Sequence, residues 1–154
     1  LPEAIRSACE PLFALIPLNQ SMCVLTGEDP QQTELVQQIL NSDAMNGHPE
    51  LAAGLWLYVN DLDRSHRVSQ QIENAAGSWW HGIMHRREGD FGNSLYWMRR
   101  ASLHPAWNSI PELHSDQLVR DVSNAKSKFD TALVDRQRAE WAALFDYCAN
   151  HPER

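Results

Sequence analysis

Apolar residues in this 154-residue chain recur at intervals of three and four, and nowhere does an apolar–polar alternation last for the roughly five or six residues of an average strand. That spacing predicts an all-α protein without a β-sheet. Gly, Pro, Asn and Asp interrupt the pattern at short intervals. The expectation is therefore a single-domain bundle over residues 1–154, built of antiparallel helical hairpins and containing about six to eight helices.

The stretch from Trp79 to Pro105, WWHGIMHRREGDFGNSLYWMRRASLHP, holds three of the six tryptophans, three of the seven histidines and four arginines. On a helix of about 100° per residue, Ser78 to Glu88 places Trp79, Trp80, Ile83 and Met84 on one core-facing arc. His81, His85 and Glu88 fall together on the flank of that arc, because positions three and four apart share a side. Arg87 points into the arc and Arg86 lies outside it. A guanidinium among apolar side chains needs a partner, so Arg87 is predicted to be buried and paired with Asp61, Asp63 or Glu73. Gly89 suits a left-handed helix end, and Asp90 suits the N-cap of a second helix, Phe91 to Leu103. On that helix Phe91, Leu95, Met98 and Ser102 line one face, while Arg99 and Arg100 lie away from it.

Leu1 to Leu18, punctuated by Pro2, Pro11 and Pro17, reads as a short helix, a break and a second short piece. Asp29-Pro30 opens a helix carrying Leu35, Val36, Ile39 and Leu40. From Pro49 to Asn60 the apolar arc is so wide that this helix should be the most buried. A partner from Leu62 to Ile72 turns Leu62, Ser65, Val68, Ser69 and Ile72 inward, with His66 at the edge. The five residues Asn74 to Ser78 then form a turn, which makes the Leu62 and Ser78 helices antiparallel neighbours and brings His66 level with His85. A short helix near Ser115–Ser123 follows. Leu133, Val134, Trp141, Leu144, Phe145 and Cys148 stripe a closing helix at about 128–149.

The two hairpins, at about 49–72 and 78–103, carry a weak internal repeat. Gly54 matches Gly82 at an offset of 28, and Leu62 and Ser65 match Phe91 and Ser94 at 29. The arrangement resembles a tetratricopeptide-type helical hairpin. More specifically, W-H-G-I-M-H-R-R-E-G-D-F-G-N-S-L-Y-W-M-R-R with a following H-P, preceded by N-D-L-D-R-S-H, resembles a family of uncharacterised bacterial and fungal proteins. The resemblance covers about Leu51 to Pro105 and, loosely, the last helix. It implies a shared all-helical domain and carries no catalytic residue across.

A net charge of −7 argues against a sequence-independent grip on nucleic acid. No apolar run approaches the roughly 20 residues that span a bilayer, so no membrane segment is expected. Three widely spaced cysteines, Cys9, Cys23 and Cys148, suggest a reducing, cytoplasmic setting without a disulfide framework. The best expectation is a helical-hairpin interaction module that binds a peptide or protein partner. The alternative is an enzyme, or a protein binding an anionic small molecule or a divalent metal, built on a cluster of His66, His81, His85, Arg86, Arg87 and Glu88. A His pair four apart chelates one ion in zincin helices, but the intervening carboxylate of that motif is missing from H-G-I-M-H. A third ligand would have to come from His66, Asp61 or Asp63 on the neighbouring helix, and no cofactor fingerprint is present. Against this stands a structural ion-pair network of Arg86, Arg87, Arg99 and Arg100 with Glu88, Asp90, Asp61, Asp63 and Glu73.

Overall fold

The computed structural model describes residues 1–152, and all regular structure among them is helical. Eight α-helices follow one another: α1 (Glu3–Leu15), α2 (Thr33–Leu40), α3 (Pro49–Tyr58), α4 (Leu62–Ser69), α5 (Ala75–Glu88), α6 (Phe91–Arg100), α7 (Gln117–Ser123) and α8 (Thr131–Asn150). Tighter 3-10 turns cover Leu18–Gln20, Asp43–Met45 and Pro105–Ser109. Among the described residues no helix is long and apolar enough to cross a membrane.

Helices α3 and α5 form the centre. Every residue of α5 from Ala76 to Arg87 is buried, as are Glu50, Leu51 and the run Ala53–Tyr58 of α3. The two meet closely at Gly54, where a methyl group would come within 2.8 Å of the Trp80 ring. Helix α8 lies across both and presents the predicted stripe of Leu133, Val134, Trp141, Leu144, Phe145 and Cys148, with Trp141 donating its indole N–H to the Gly54 carbonyl at 2.8 Å. Gln137 and Glu140 complete the same buried ladder. Gln137 donates to the carbonyls of Met22 and Val24, both at 3.2 Å, and Arg138 to that of Ser21 at 2.9 Å. These bonds hold an irregular segment in which Met22 adopts a left-handed φ of 48°.

Local chemistry sets the helix ends, and several fall away from the sequence expectation. Helix α1 continues through Pro11, which removes only the bond to the Ser7 carbonyl; Ser7 is exposed, so water satisfies that group. Helix α2 begins at Thr33 instead of Pro30, because Gln31 donates its N–H to Val59 at 2.9 Å and Gln32 reverses the chain at φ 52°. Helix α5 begins at Ala75 because Asn74 accepts the Gly77 N–H at 2.8 Å and acts as its N-cap. Helices α4 and α6 stop at Ser69 and Arg100, one turn short of their expected ends, and α8 starts at Thr131 under an Asp130 cap.

The two hairpins share one frame at an offset of 29 throughout. Asn60 and Gly89 both take left-handed φ, 67° and 86°. The next residues, Asp61 (φ −88°, ψ 79°) and Asp90 (φ −92°, ψ 78°), cap α4 and α6 by accepting the N–H three residues on. Ser65 donates its hydroxyl to the Ala53 carbonyl at 2.9 Å, and Ser94 donates to that of Gly82 at 2.7 Å. The structural counterpart of Gly82 is thus Ala53, not Gly54. Gly82 makes room for Met98, whereas Gly54 makes room for Trp80.

Candidate functional site

One row of polar side chains runs down α5 at alternating intervals of four and three: Asn74, Ser78, His81, His85 and Glu88. That spacing keeps them on one side of the helix. The row faces the seam between α5 and its neighbours α4 and α6. Because α4 and α5 are antiparallel, His66 at mid-α4 comes between the two α5 histidines. Ring centroids lie 4.8 Å apart for His66 and His81, 5.4 Å for His66 and His85, and 4.8 Å for His81 and His85. One nitrogen from each of the three lies within 4.8 Å of the others.

Each imidazole is positioned differently. His85 is 9 % exposed, and its Nδ1 is 2.6 Å from Oε1 of Glu88, one turn along the same helix. The carboxylate fixes the ring and leaves Nε2 for another partner. His81 is 5 % exposed and stacks on the Trp97 indole of α6 with centroids 4.1 Å apart and planes 12° apart. Burial pushes its pKa down to about 4, helped by His85 and His66, so its ring is neutral at physiological pH. His66 is half-buried and opens on a cavity of about 280 Å³ shared with Asp63, Met84, His85 and Glu88. Neither His66 nor His81 makes a side-chain hydrogen bond among the described residues. On the other side of His81 a larger cavity, about 750 Å³, is lined by Ser78, Trp97 and Arg100 among others.

These three histidines fit a divalent metal in donor type and count. Nitrogens about 2.0–2.1 Å from a tetrahedral ion stand roughly 3.3–3.4 Å from one another, so separations of at most 4.8 Å call for modest side-chain rotation. Glu88, seven residues from His81, does not join the three; it hydrogen-bonds His85 from outside. Asp61 and Asp63 do not join them either, as they pair with Arg64 and Arg67.

The arginines depart most from the sequence reading. Arg86, expected outside the core, is fully buried and forms a two-pronged pair with Glu140 of α8, at 2.8 and 3.3 Å. Glu140 also accepts the Trp79 indole N–H at 3.1 Å. Arg87 is buried as expected, yet none of Asp61, Asp63 and Glu73 is its partner: it donates to the Leu57 carbonyl and the Asn60 side chain, both at 2.6 Å. Both guanidiniums hold α5 to α3 and α8 through their terminal nitrogens, each leaving a buried Nε without a partner, and their burial closes them to an outside ligand. Arg99 and Arg100 are exposed and unpaired among the described residues, so the four arginines do not form one network. Sequence reasoning missed Glu140 altogether. The available signal was its place in the α8 ladder, three residues after Gln137 and beside Trp141, where a lone carboxylate implies a buried cation.

Comparison with protein-family models, with curated proteins and with solved structures finds no match to this chain.

Proposed function

We propose that the protein binds a single divalent transition-metal ion, zinc above all, through His66, His81 and His85, with Glu88 orienting His85. The observation that carries this reading is the convergence of three imidazole nitrogens from two helices within 4.8 Å, two of them on rings at least nine-tenths buried. Neutral imidazole suits zinc, nickel and iron, and three protein ligands leave a coordination position open, as in catalytic rather than structural zinc sites. A bound ion would supply Lewis-acid chemistry at that position. The chain's own contribution is to keep His81 neutral by burial, to hold His85 by Glu88, and to wall the site with Trp97 and Met84.

The test is zinc uptake by protein purified without a nickel column, measured in competition with a chromophoric chelator. One equivalent is expected for the wild type and a loss of at least about tenfold in affinity for His81→Ala, His85→Ala and His66→Ala, while Glu88→Gln loses roughly 10-fold through His85. Uptake that the triple histidine variant retains would sink the reading. A second reading, a hairpin surface that carries a peptide or protein partner, draws on Tyr96 and Leu103, which are 52 % and 94 % exposed at the α6 end. The metal reading ranks first because a docking surface gives no account of His81, a buried imidazole without a hydrogen-bond partner, set against two further imidazoles.

A further inference from the structure

The larger cavity beside His81 has its own chemistry, which the histidine cluster does not absorb. It holds about 750 Å³, a size that suits a small organic molecule, and lies between the α4–α5 connection and α6. Arg100, in the last turn of α6, lines it with its guanidinium 5.5 Å from the Trp97 ring centre. Among the described residues Arg100 takes part in no ion pair. Ser78 is only 7 % exposed, lines the same cavity, and its hydroxyl has no hydrogen-bond partner among the described residues. The hydroxyl oxygen stays accessible from the cavity and is free to bond a molecule that enters it. His81 lines it from the same side of α5, three residues further on.

We propose that this cavity binds a small monocarboxylic acid, its carboxylate on the Arg100 guanidinium and its body within reach of the Ser78 hydroxyl. A planar guanidinium matches a carboxylate with two parallel hydrogen bonds. Ile72, Ala75 and Trp97 offer the acid's tail an apolar wall. Glu73 is the one carboxylate lining the cavity, and its charge disfavours a dianion such as phosphate. His81 is shared with the metal site, so the acid's place as the partner or substrate of the bound ion rests on the metal reading; its binding to Arg100 and Ser78 does not.

Butyrate titrated into the full chain, with and without one equivalent of zinc, tests this, read by calorimetry and by the Trp97 indole resonance. Arg100→Gln is expected to weaken butyrate about tenfold or more and to leave zinc affinity unchanged. Ser78→Ala is expected to weaken it about threefold. Arg99→Gln removes the same charge away from the cavity and should leave butyrate binding intact, and inorganic phosphate should bind more weakly than butyrate. Wild-type affinity in Arg100→Gln, equal losses in Arg99→Gln and Arg100→Gln, phosphate binding tighter than butyrate, or no butyrate binding by folded wild type would each overturn the acid pocket. Arg100-dependent binding in protein that takes up no zinc supports the pocket and overturns the metal reading alone.

Discussion

Hairpins α3–α4 and α5–α6 turn the same corner with the same devices: a left-handed residue (Asn60, Gly89), a capping Asp (Asp61, Asp90), and a Ser hydroxyl bonded to the carbonyl twelve residues back (Ser65, Ser94). Just before that corner they diverge. Trp56, Leu57 and Tyr58 of α3 stand where α5 has His85, Arg86 and Arg87, and Ala52 stands where α5 has His81. The α3 version shows that this backbone closes with apolar residues alone. The polar content of α5 is thus not a requirement of the corner, and two parts of it behave differently: the arginines are absorbed by Glu140, Leu57 and Asn60, while the histidines are left converging on one another.

The largest test of this contrast gives α5 the α3 residue. Arg86→Leu strands Glu140 as a buried charge and should cost about 3–5 kcal/mol in chemical denaturation. Arg86→Leu with Glu140→Gln should recover most of that loss, since the glutamine carbonyl still accepts the Trp79 indole N–H. A single variant within about 1 kcal/mol of wild type would mean the pair is not holding α8 to α5.

Acid comes next. Helix α3 carries no histidine, whereas His81 on α5 and His104 beyond α6 both have pKa values lowered to about 4, chiefly by burial. His104 also accepts the Ala106 N–H on Nδ1 at 3.0 Å, a bond that protonation removes. Between pH 6.5 and 4 the unfolded chain binds protons that the folded one refuses, so stability is full above about 6.5 and falls as the pH drops toward 4. The loss is at most about 3 kcal/mol for each ring. Denaturation midpoints from pH 7.5 to 4 should show this slope, and His81→Asn with His104→Asn should flatten it.

Smaller effects probe the shared frame. Gly89→Ala meets open space but forces a Cβ into φ 86°, costing about 1–2 kcal/mol. Asn60→Ala adds no new Cβ, yet it strands Nη2 of the buried Arg87 guanidinium by removing its acceptor and should cost more. Ser65→Ala and Ser94→Ala should each lose about 0.5–1.5 kcal/mol. Thermal midpoints that separate these two serine variants widely would show that the matching geometry hides unequal packing.

Period and punctuation made much of this visible in advance. The 3.6-residue stripe on α8 and the Gly89-Asp90 corner follow from local rules that tertiary packing left intact, and the antiparallel α4–α5 pair brings His66 to the α5 histidines, between His81 and His85 instead of level with His85. The Arg86–Glu140 pair did not, because its partners are 54 residues apart and a flank position on an isolated helix becomes interior only once α8 covers it. The start of α2 escaped for a similar reason: a capping Asp29-Pro30 signal lost to a backbone bond from Gln31 to Val59. The proposed acid pocket needed coordinates, since Ser78 and Arg100 come from different helices and no spacing rule pairs them.

The bonds from Gln137 and Arg138 to Met22, Val24 and Ser21 span 113 to 117 residues. During synthesis, at roughly 5–20 residues per second, the 21–25 segment waits about 6 to 23 seconds for the side chains of Gln137 and Arg138 that hold its carbonyls. Leu25, 1 % exposed at the end, lacks for that interval its cover from Leu133 and Val134. In a nascent chain the 21–25 segment is accordingly open to proteases and to wrong association until α8 has left the ribosome.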